Sequence, residues 1–322
     1  MGVQARDTAA YYKGLVLGAT VEVTMANPEQ QQEALDYFRR HATQWSSKAR
    51  ENSASRVNAV RQRTDYVLHV IQQRQATEMT LDVGCGTGDL VLDVARRGVR
   101  SVGIDFAPEM IQIATERAGK ENLSLARFDC TSIFDFDMSN AVYDCISANG
   151  LIEYITREQL LQFIAMTYQA LNKGGSLVIG SRNRLFNLFS LNGFTEQEIE
   201  ADAAAPLLRE SIAIMKAASL DELLSLESPP LPKEEVSQVK TNIDVSLRLQ
   251  YTPSQLMKLL HSAGFELVDI YPIHIHGIAP QLKDLYPEMH VEVSNILQAH
   301  ALDRREFVAQ ASSFMVHAKK AG

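Results

Sequence analysis

Apolar and polar residues follow two distinct patterns along this chain. Short apolar runs bounded by Gly, Asp or Asn are typical of buried strands, whereas apolar residues spaced three and four apart are typical of amphipathic helices. The strand pattern recurs at residues 80–83, 101–105, 123–128, 143–147, 265–271 and 312–318, and within 171–180 after a helix end and a Gly turn. Helical patterns follow the first, second and fourth of these segments, so the sequence predicts an α/β fold built on a largely parallel sheet.

The first predicted strand runs into a glycine-rich turn. Gly84, Gly86 and Gly88 alternate directly after it, and a helical pattern begins at Leu90. Glycine has no Cβ and adopts positive φ readily, so backbone in such a turn can approach a ligand closely. The free N–H groups of the first helical turn face the same crevice. The pattern therefore predicts a nucleotide-type cofactor site.

Two common nucleotide motifs do not fit this turn. A dinucleotide fold requires Gly-x-Gly-x-x-Gly, but the third glycine position is Asp89, whose carboxylate would repel a pyrophosphate at the helix N-terminus. A phosphate-binding loop would end in Gly-Lys-Ser/Thr, which this turn lacks. An NAD-dependent oxidoreductase is therefore a minor alternative.

The pattern Asp-x-Gly-x-Gly-x-Gly at residues 82–88 instead resembles the first motif of class I S-adenosylmethionine-dependent methyltransferases. Later segments match that family in order: the second strand ends at Asp105, the third reaches Asp129, and segment 148–154 follows the fourth strand. The resemblance implies a Rossmann-like seven-stranded methyltransferase sheet with an added helical lid and N-terminal helices. It also implies S-adenosylmethionine as cofactor.

The resemblance implies roles for particular acids of the cofactor site. Asp105 would bind both ribose hydroxyls, Asp129 would contact the adenine amino group, and Asp82 would reach the amino acid end of the cofactor. Asp144 is interpreted as structural. The predicted cofactor-binding residues are Asp82, Gly84, Cys85, Gly86, Gly88, Asp105, Phe106, Met110, Asp129, Cys130, Thr131 and Asn149.

The chain is longer than one such core, so additions to it are expected. We predict an N-terminal helical segment covering the cofactor at 1–66 and the cofactor-binding core at 67–184. A helical lid insertion follows at 185–250, and residues 251–322 complete the core with the last two strands.

The N-terminal segment contains helical patterns at 30–38 and 56–73, joined by a polar stretch. Tyr37, Phe38 and Trp45 are its aromatic residues near that junction. In the small-molecule branch of the family, similar to quinone-biosynthesis methyltransferases, such a segment folds over the cofactor. Hydrophobic anchoring of a loose helix is an equally good interpretation.

His274 and His276 are the main catalytic candidates. They alternate on an extended segment after the sixth strand, so both side chains point to the same face. Either imidazole could act as a general base toward an acceptor hydroxyl. The alternatives are a structural hydrogen bond or a metal pair, and no third ligand lies at a diagnostic spacing, so no metal is predicted. Glu153, Tyr154 and, less strongly, His41 are further candidates.

The net charge of the chain narrows the expected class of substrate. The net charge of −8 disfavours nucleic acid, because phosphate contacts supply much of the affinity in such complexes. Arg56, Arg61 and Arg63 form a basic cluster that we interpret as a solvated helix face. A small-molecule acceptor is therefore expected.

The remaining composition predicts a cytoplasmic protein. No apolar run is long enough to span a bilayer, and the N-terminus lacks the apolar core of an export signal. Cys85, Cys130 and Cys145 lie in or beside predicted core strands without metal spacing, which predicts buried free thiols in a reducing compartment.

The sequence thus predicts methyl transfer to a small-molecule hydroxyl, which is O-methylation. N-methylation of a small molecule and methylation of RNA or protein are the enzymatic alternatives. A non-catalytic S-adenosylmethionine-binding module is the alternative from another class. Oligomeric state is left open.

Overall fold

The computed structural model describes residues 28–50, 53–74, 76–138, 142–231, 245 and 247–322. The predicted segments 1–66 and 185–250 therefore lie partly outside the described residues. The strands are β1 (Met79–Val83), β2 (Arg100–Asp105), β3 (Ala126–Cys130), β4 (Tyr143–Asn149), β5 (Leu171–Arg182), β6 (Phe265–Ile275) and β7 (Ala311–Lys320).

These strands form one seven-stranded sheet with the order β3-β2-β1-β4-β5-β7-β6. The first five pair in parallel, whereas β7 runs antiparallel to both β5 and β6. This confirms the predicted methyltransferase-like sheet. The strand order reverses between β1 and β4, and open α/β sheets bind ligands outside the carboxyl ends of the strands at such a point.

The described helices flank this sheet, and one group fills the connection between β5 and β6. They are α1 (Pro28–Arg50), α2 (Ala59–Gln72), α3 (Asp89–Ala95), α4 (Pro108–Lys120), α5 (Arg157–Ala170), α6 (Asn187–Ser190), α7 (Gly193–Glu200), α8 (Ala204–Lys216), α9 (Leu220–Leu224), α10 (Pro253–Ser262) and α11 (Pro287–Ala299). None of the helices in the described part of the chain combines the length and apolar character that crossing a membrane requires.

Apolar clusters cover the two faces of the sheet. On one face, Leu81 of β1 packs in a cluster with Phe163 of α5 and Leu260 of α10. On the other, Val67 of α2 and Leu90 of α3 lie in a cluster with strand residues of the core. Because the central strands are buried on both faces, they carry the near-continuous apolar runs seen in the sequence.

Several element boundaries differ from the sequence predictions, and three of these differences have a physical reason. Helix α1 continues through 40–45, where no Gly or Pro interrupts it, because Ala42 packs against Met110 and so stabilises the helix. Strand β3 starts three residues later than predicted, since the N–H of Leu123 donates to a carbonyl of α4. Strand β6 extends to Ile275, which pairs with Ala311, so His274 lies within the strand.

Helix α5 provides a test of local stabilisation. The Thr156 hydroxyl accepts from the Gln159 N–H, and the Gln159 side chain accepts from the Thr156 N–H. We expect Thr156→Ala to lower the free energy of unfolding by about 1 kcal/mol, because one helical N–H loses its acceptor. Urea denaturation measures this change. Thr156→Ser keeps the hydroxyl and should retain most of the stability; an equal loss in both variants would exclude the capping explanation.

Candidate active site

A cavity of about 420 Å³ lies at the carboxyl ends of the central strands. Its wall includes Val83 at the end of β1, Asp105 at the end of β2 and Asn149 at the end of β4. Helix α1 contributes to the same wall. The cavity therefore lies at the point where the strand order reverses.

The glycine-rich turn forms one end of this cavity. Gly84, Gly86 and Gly88 have φ values of 70°, 53° and 80°, which a side chain would oppose. The N–H groups of Gly84 and Cys85 donate to the Ile104 carbonyl at 2.8 and 3.0 Å. A Cβ on Gly86 would meet no atom within 4 Å, so it would project into open space. The turn is therefore an open backbone cradle.

Asp105 is buried directly beside this cradle. Its Oδ2 accepts from the Gly86 N–H at 3.0 Å, and its Oδ1 accepts from the Ala107 N–H at 2.9 Å. Burial raises the pKa of Asp105 to about 6, although the backbone N–H donors oppose that rise. Since both oxygens retain further lone pairs, the carboxylate can still accept hydrogen bonds from a ligand.

Asp82 is a second buried acid on the cavity wall. The Ser147 hydroxyl donates to its Oδ1 at 2.7 Å. Burial raises the pKa of Asp82 to about 7; the hydrogen bond from Ser147 lowers it, and the negative charge of Asp105 raises it. A cationic ligand would offset the cost of ionising both acids.

Most of the predicted cofactor-binding residues reach the cavity. Those on its wall are Asp82, Gly84, Cys85, Gly86, Asp105, Phe106, Met110, Thr131 and Asn149. The Asn149 Oδ1 is buried without a hydrogen-bond partner, so one acceptor on this wall is available to a ligand. Gly88, Asp129 and Cys130 are not on the wall.

Each of these three exceptions has a structural reason. A Cβ on Gly88 would lie 2.7 Å from the Phe128 ring, so this glycine permits close packing between α3 and β3. Asp129 is ion-paired with Arg127 at 3.0 Å, and its contact with adenine stays a prediction. The prediction that Cys130 is buried is wrong, because Cys130 is exposed at the end of the edge strand β3. Cys85 and Cys145 are buried free cysteines, as predicted.

Aromatic residues of α1 cover part of the cavity. Phe38 and Trp45 lie on its wall, and the Phe38 ring packs against Tyr154 with 5.1 Å between centroids. The Trp45 Nε1 is buried without a partner. Tyr37 and His41 lie off the wall, where their rings stack 4.4 Å apart.

Three arginines lie on the cavity wall, and sequence analysis missed two of them. These are Arg63, Arg182 and Arg248, and the Nε of each is buried without a hydrogen-bond partner. Burial and the like charge of Arg248 lower the pKa of Arg182. Glu153 Oε2 lies 3.5 Å from Arg248 Nε, close enough for an ion pair. The interpretation of Arg63 as part of a solvated helix face is wrong, since Arg63 reaches the cavity and donates to Ser313 Oγ at 3.0 Å.

The predicted catalytic residues do not all line the cavity. His274, Glu153 and Tyr154 line the cavity, whereas His276 does not. The rings of His274 and His276 stack with centroids 4.3 Å apart, as expected for side chains on the same face. Burial lowers the pKa of His274 well below its ordinary value and raises that of Tyr154. Sequence analysis missed His290, whose Nε2 lies 2.8 Å from His274 Nε2.

The fold and this site can be compared with known proteins. A family model described as a methyltransferase domain matches residues 80–175, which include the glycine-rich turn, Asp105 and the start of β5. This part of the chain is a methyltransferase domain, and its motifs and sheet are those of the class I S-adenosylmethionine-dependent methyltransferases. The motifs found in the sequence, from Asp82 to residue 154, lie within the matched residues.

Individual methyltransferase-like relatives match parts of the chain. A ubiquinone biosynthesis O-methyltransferase from Bradyrhizobium sp. is 31% identical over 111 residues, which are 34% of this chain and 42% of that protein. A carboxy-S-adenosyl-L-methionine synthase from Staphylococcus epidermidis is 28% identical over 134 residues, covering 37% of this chain and 57% of the relative. The chain spans about half the length of the curated relatives it matches.

A solved methyltransferase structure extends the likeness over the fold. Magnesium protoporphyrin IX methyltransferase from Synechocystis PCC 6803, with S-adenosylhomocysteine bound, superposes with a TM-score of 0.53. The match covers 91% of this chain and 100% of that one at 12% sequence identity. At this identity the comparison shows the methyltransferase fold.

The cofactor of this methyltransferase domain is S-adenosylmethionine, and the cavity suits it chemically. The three glycines of the turn have positive φ and present bare backbone, and Gly86 has space for a ligand on its open side. Asn149 Oδ1 offers an acceptor that no protein group uses. Asp82 and Asp105 supply carboxylates, which suit a sulfonium cation, an ammonium group and ribose hydroxyls.

Proposed function

We propose that this chain methylates an oxygen of a small, anionic acceptor molecule. The proposal depends on one observation: a single cavity is lined both by the glycine cradle with Asp82 and Asp105 and by three arginines whose Nε atoms are buried. The first group suits S-adenosylmethionine, and the second suits a negatively charged acceptor. Their presence in one cavity would bring the two reactants together.

Particular residues would hold the cofactor. We propose that Asp105 accepts hydrogen bonds from the ribose hydroxyls and that Asp82 attracts the ammonium group. Met110, Thr131 and Asn149 lie on the same wall and would contact the remainder of the adenosyl group. When bound, S-adenosylmethionine supplies an electrophilic methyl group on a sulfonium ion. The role of the cradle is to orient that group toward the acceptor, since alignment lowers the barrier to displacement.

Charge in the cavity supports an anionic acceptor. Glu153 neutralises one of the three guanidinium groups, and the carboxylate of the cofactor could neutralise a second. One partly buried positive charge on the cavity wall would remain, and burying a charge without a partner is costly. A carboxylate or phosphate on the acceptor would remove that cost, because guanidinium binds both groups through paired hydrogen bonds.

The cavity walls would then exclude water and position the acceptor. Phe38 and Trp45 of α1 cover the site, which strengthens charge interactions inside it. O-methylation is supported by the similarity to a ubiquinone biosynthesis O-methyltransferase. Whether His274, His276, Glu153 or Tyr154 acts as a base stays a prediction, and well-aligned methyl transfer depends less on a base than on position.

Labelled S-adenosylmethionine tests this function. The folded chain would be incubated with hydroxylated carboxylic acids, their neutral esters, amine analogues and phosphate esters, and with a small-molecule cell extract. We expect methylated product from anionic hydroxyl compounds and far less from the esters. Cofactor binding without product from any of these samples, or a preference for neutral acceptors, would contradict the proposal. Methylated amines would favour N-methylation.

The arginine prediction has a matched control. Removing a buried charge–charge hydrogen bond costs about 1.5–3 kcal/mol, so Arg182→Met should raise KM for an anionic acceptor by at least ~10-fold. The KM for the neutral ester should change little. Arg209→Met removes an exposed arginine of α8 and should leave both values unchanged. Equal losses for the acid and the ester would show that Arg182 does not bind acceptor charge.

The two buried acids predict a pH dependence of cofactor binding. Their pKa values of about 6 for Asp105 and about 7 for Asp82 mean that both lose protons as pH rises through neutrality. We therefore expect S-adenosylhomocysteine to bind at least ~10-fold more weakly at about pH 5 than at about pH 7.5. Isothermal titration calorimetry measures this ratio. Affinity that stays constant over this range would contradict these roles.

The same two acids should make the ligand-free protein less stable as pH rises, whereas cofactor binding strengthens. In the unfolded chain both acids ionise near their ordinary pKa of 3.8, below their folded values. The unfolded state therefore loses these protons first, and the free energy of unfolding contributed by the two acids falls as pH rises from about 4 to about 7.

A further inference from the structure

Three histidines meet beside the cavity. His274 lies in β6, His276 follows it, and His290 comes from α11. One ligating nitrogen from each lies within 4.8 Å of the others. We infer that His274, His276 and His290 form a binding site for a divalent transition-metal ion, with Zn²⁺ as the expected ion.

The distances are close to those of a metal site. His274 Nε2 and His290 Nε2 are 2.8 Å apart. Zinc–imidazole bonds of about 2.0–2.1 Å in a tetrahedral arrangement place neighbouring nitrogens about 3.3 Å apart. Small side-chain rotations would open the existing nitrogen pair to that distance. The third ring is already adjacent, with the His276 and His290 centroids 4.8 Å apart.

The hydrogen bonding of these rings is incomplete. Both ring nitrogens of His276 and the Nδ1 of His290 are buried without a hydrogen-bond partner. These residues are only 8% and 5% exposed. Buried polar side chains usually have partners, so these unpaired imidazole nitrogens need an explanation. A cation held by His274 Nε2, His290 Nε2 and one nitrogen of His276 would accept one lone pair from each ring, including the His276 lone pair that no protein donor satisfies.

The backbone around the cluster is built to hold the rings together. His274 has a φ of 55°, a conformation that is costly for a residue with a side chain. Its N–H donates to the Gln62 Oε1 at 2.8 Å, which fixes this conformation. Gly277 lets α11 approach, since a Cβ there would lie 2.1 Å from a methyl carbon of Val293. That close approach places His290 against the other two rings.

Ligand chemistry indicates which metals fit. Among the described residues, the cluster consists of imidazoles alone, and imidazole suits zinc, copper, nickel and iron, whereas magnesium and calcium prefer oxygen. Lys283 and Arg63 oppose a cation electrostatically, and Asp284 near His290 favours one. Three protein ligands leave one tetrahedral position open, as in catalytic zinc sites.

His274 connects this cluster to the cavity, because it also lies on the cavity wall. If the methyl transfer proposed above is correct, the ion would border the space for the acceptor and could lower the pKa of its hydroxyl. This use rests on the proposed function; the metal site itself does not. Coordination through Nε2 and proton abstraction by the same nitrogen are alternative uses of His274.

Metal titration tests the inference without an activity assay. Tag-free, metal-stripped protein would be titrated with Zn²⁺ alone by calorimetry and with Co²⁺ by visible absorption, which reports tetrahedral coordination. We expect one equivalent to bind. Removing a side chain that only hydrogen-bonds to a metal ligand lowers metal affinity by about 10–100-fold. His290→Ala removes a ligand itself, so it should lower the affinity by at least ~100-fold. His276→Gln should produce a similar loss.

His300→Ala is the matched control, because this exposed histidine directly follows α11 and lies outside the cluster. It should bind metal like the unaltered chain. No stoichiometric binding by folded protein, or equal binding by His290→Ala and His300→Ala, would overturn the inference. Titrating S-adenosylhomocysteine into the same samples separates the two proposals: cofactor binding without metal binding rejects this site alone, and metal binding without cofactor binding rejects the proposed function alone.

Discussion

Asp105→Ala should weaken S-adenosylhomocysteine binding by at least ~100-fold, which corresponds to about 3 kcal/mol. The loss has two causes. The ribose hydroxyls would lose a buried carboxylate acceptor, and hydrogen bonds to charged groups contribute about 1.5–3 kcal/mol each. In addition, Gly86 and Ala107 donate their N–H groups to this side chain, so the cradle would lose its anchor.

Calorimetry on the folded variant measures this effect. Asp65→Asn is a suitable control, since Asp65 is an exposed acid paired with Arg61 on the surface. It should bind the ligand like the unaltered chain. If Asp105→Ala bound S-adenosylhomocysteine within a few-fold of the unaltered chain, the proposed ribose contact would be wrong.

Gly88→Ala should lower the free energy of unfolding by roughly 3 kcal/mol, from two separate contributions. A side chain at a φ of 80° costs about 1–2 kcal/mol. Its Cβ would also lie 2.7 Å from the Phe128 ring and 2.9 Å from the Ala114 Cβ, and overpacking of this kind costs about 1–3 kcal/mol.

Gly98→Ala separates these two contributions. Gly98 has a φ of 81°, but a Cβ there would meet no atom within 4 Å. This variant should therefore lose only the backbone contribution of about 1–2 kcal/mol. Urea denaturation of both variants gives the difference. Equal losses would show that α3 and β3 are not packed as closely as described.

The sequence predicted the features that depend on residues close together along the chain. The alternating glycines, the acid that ends β2 and the apolar runs of the central strands are local signals, and each predicted strand was found in the sheet. Helix α1 was predicted only over 30–38, because its continuation to Arg50 depends on packing against Met110, a contact across more than sixty intervening positions. Tertiary packing of this kind overrides local propensity.

Convergence of distant residues could not be predicted in this way. Arg63, Arg182 and Arg248 come from α2, the end of β5 and the segment before α10, and only the fold places them on one cavity. The alternation of His274 and His276 predicted their shared face. His290 carried no spacing signal, because it is joined to them through the close approach of α11 at Gly277.

Calorimetric titration of the folded, unaltered chain with S-adenosylhomocysteine and, separately, with NAD⁺ tests the central claim most directly. The account predicts that S-adenosylhomocysteine binds to one site and that NAD⁺ does not bind. Binding of NAD⁺ instead, or binding of neither ligand by correctly folded protein, would contradict it.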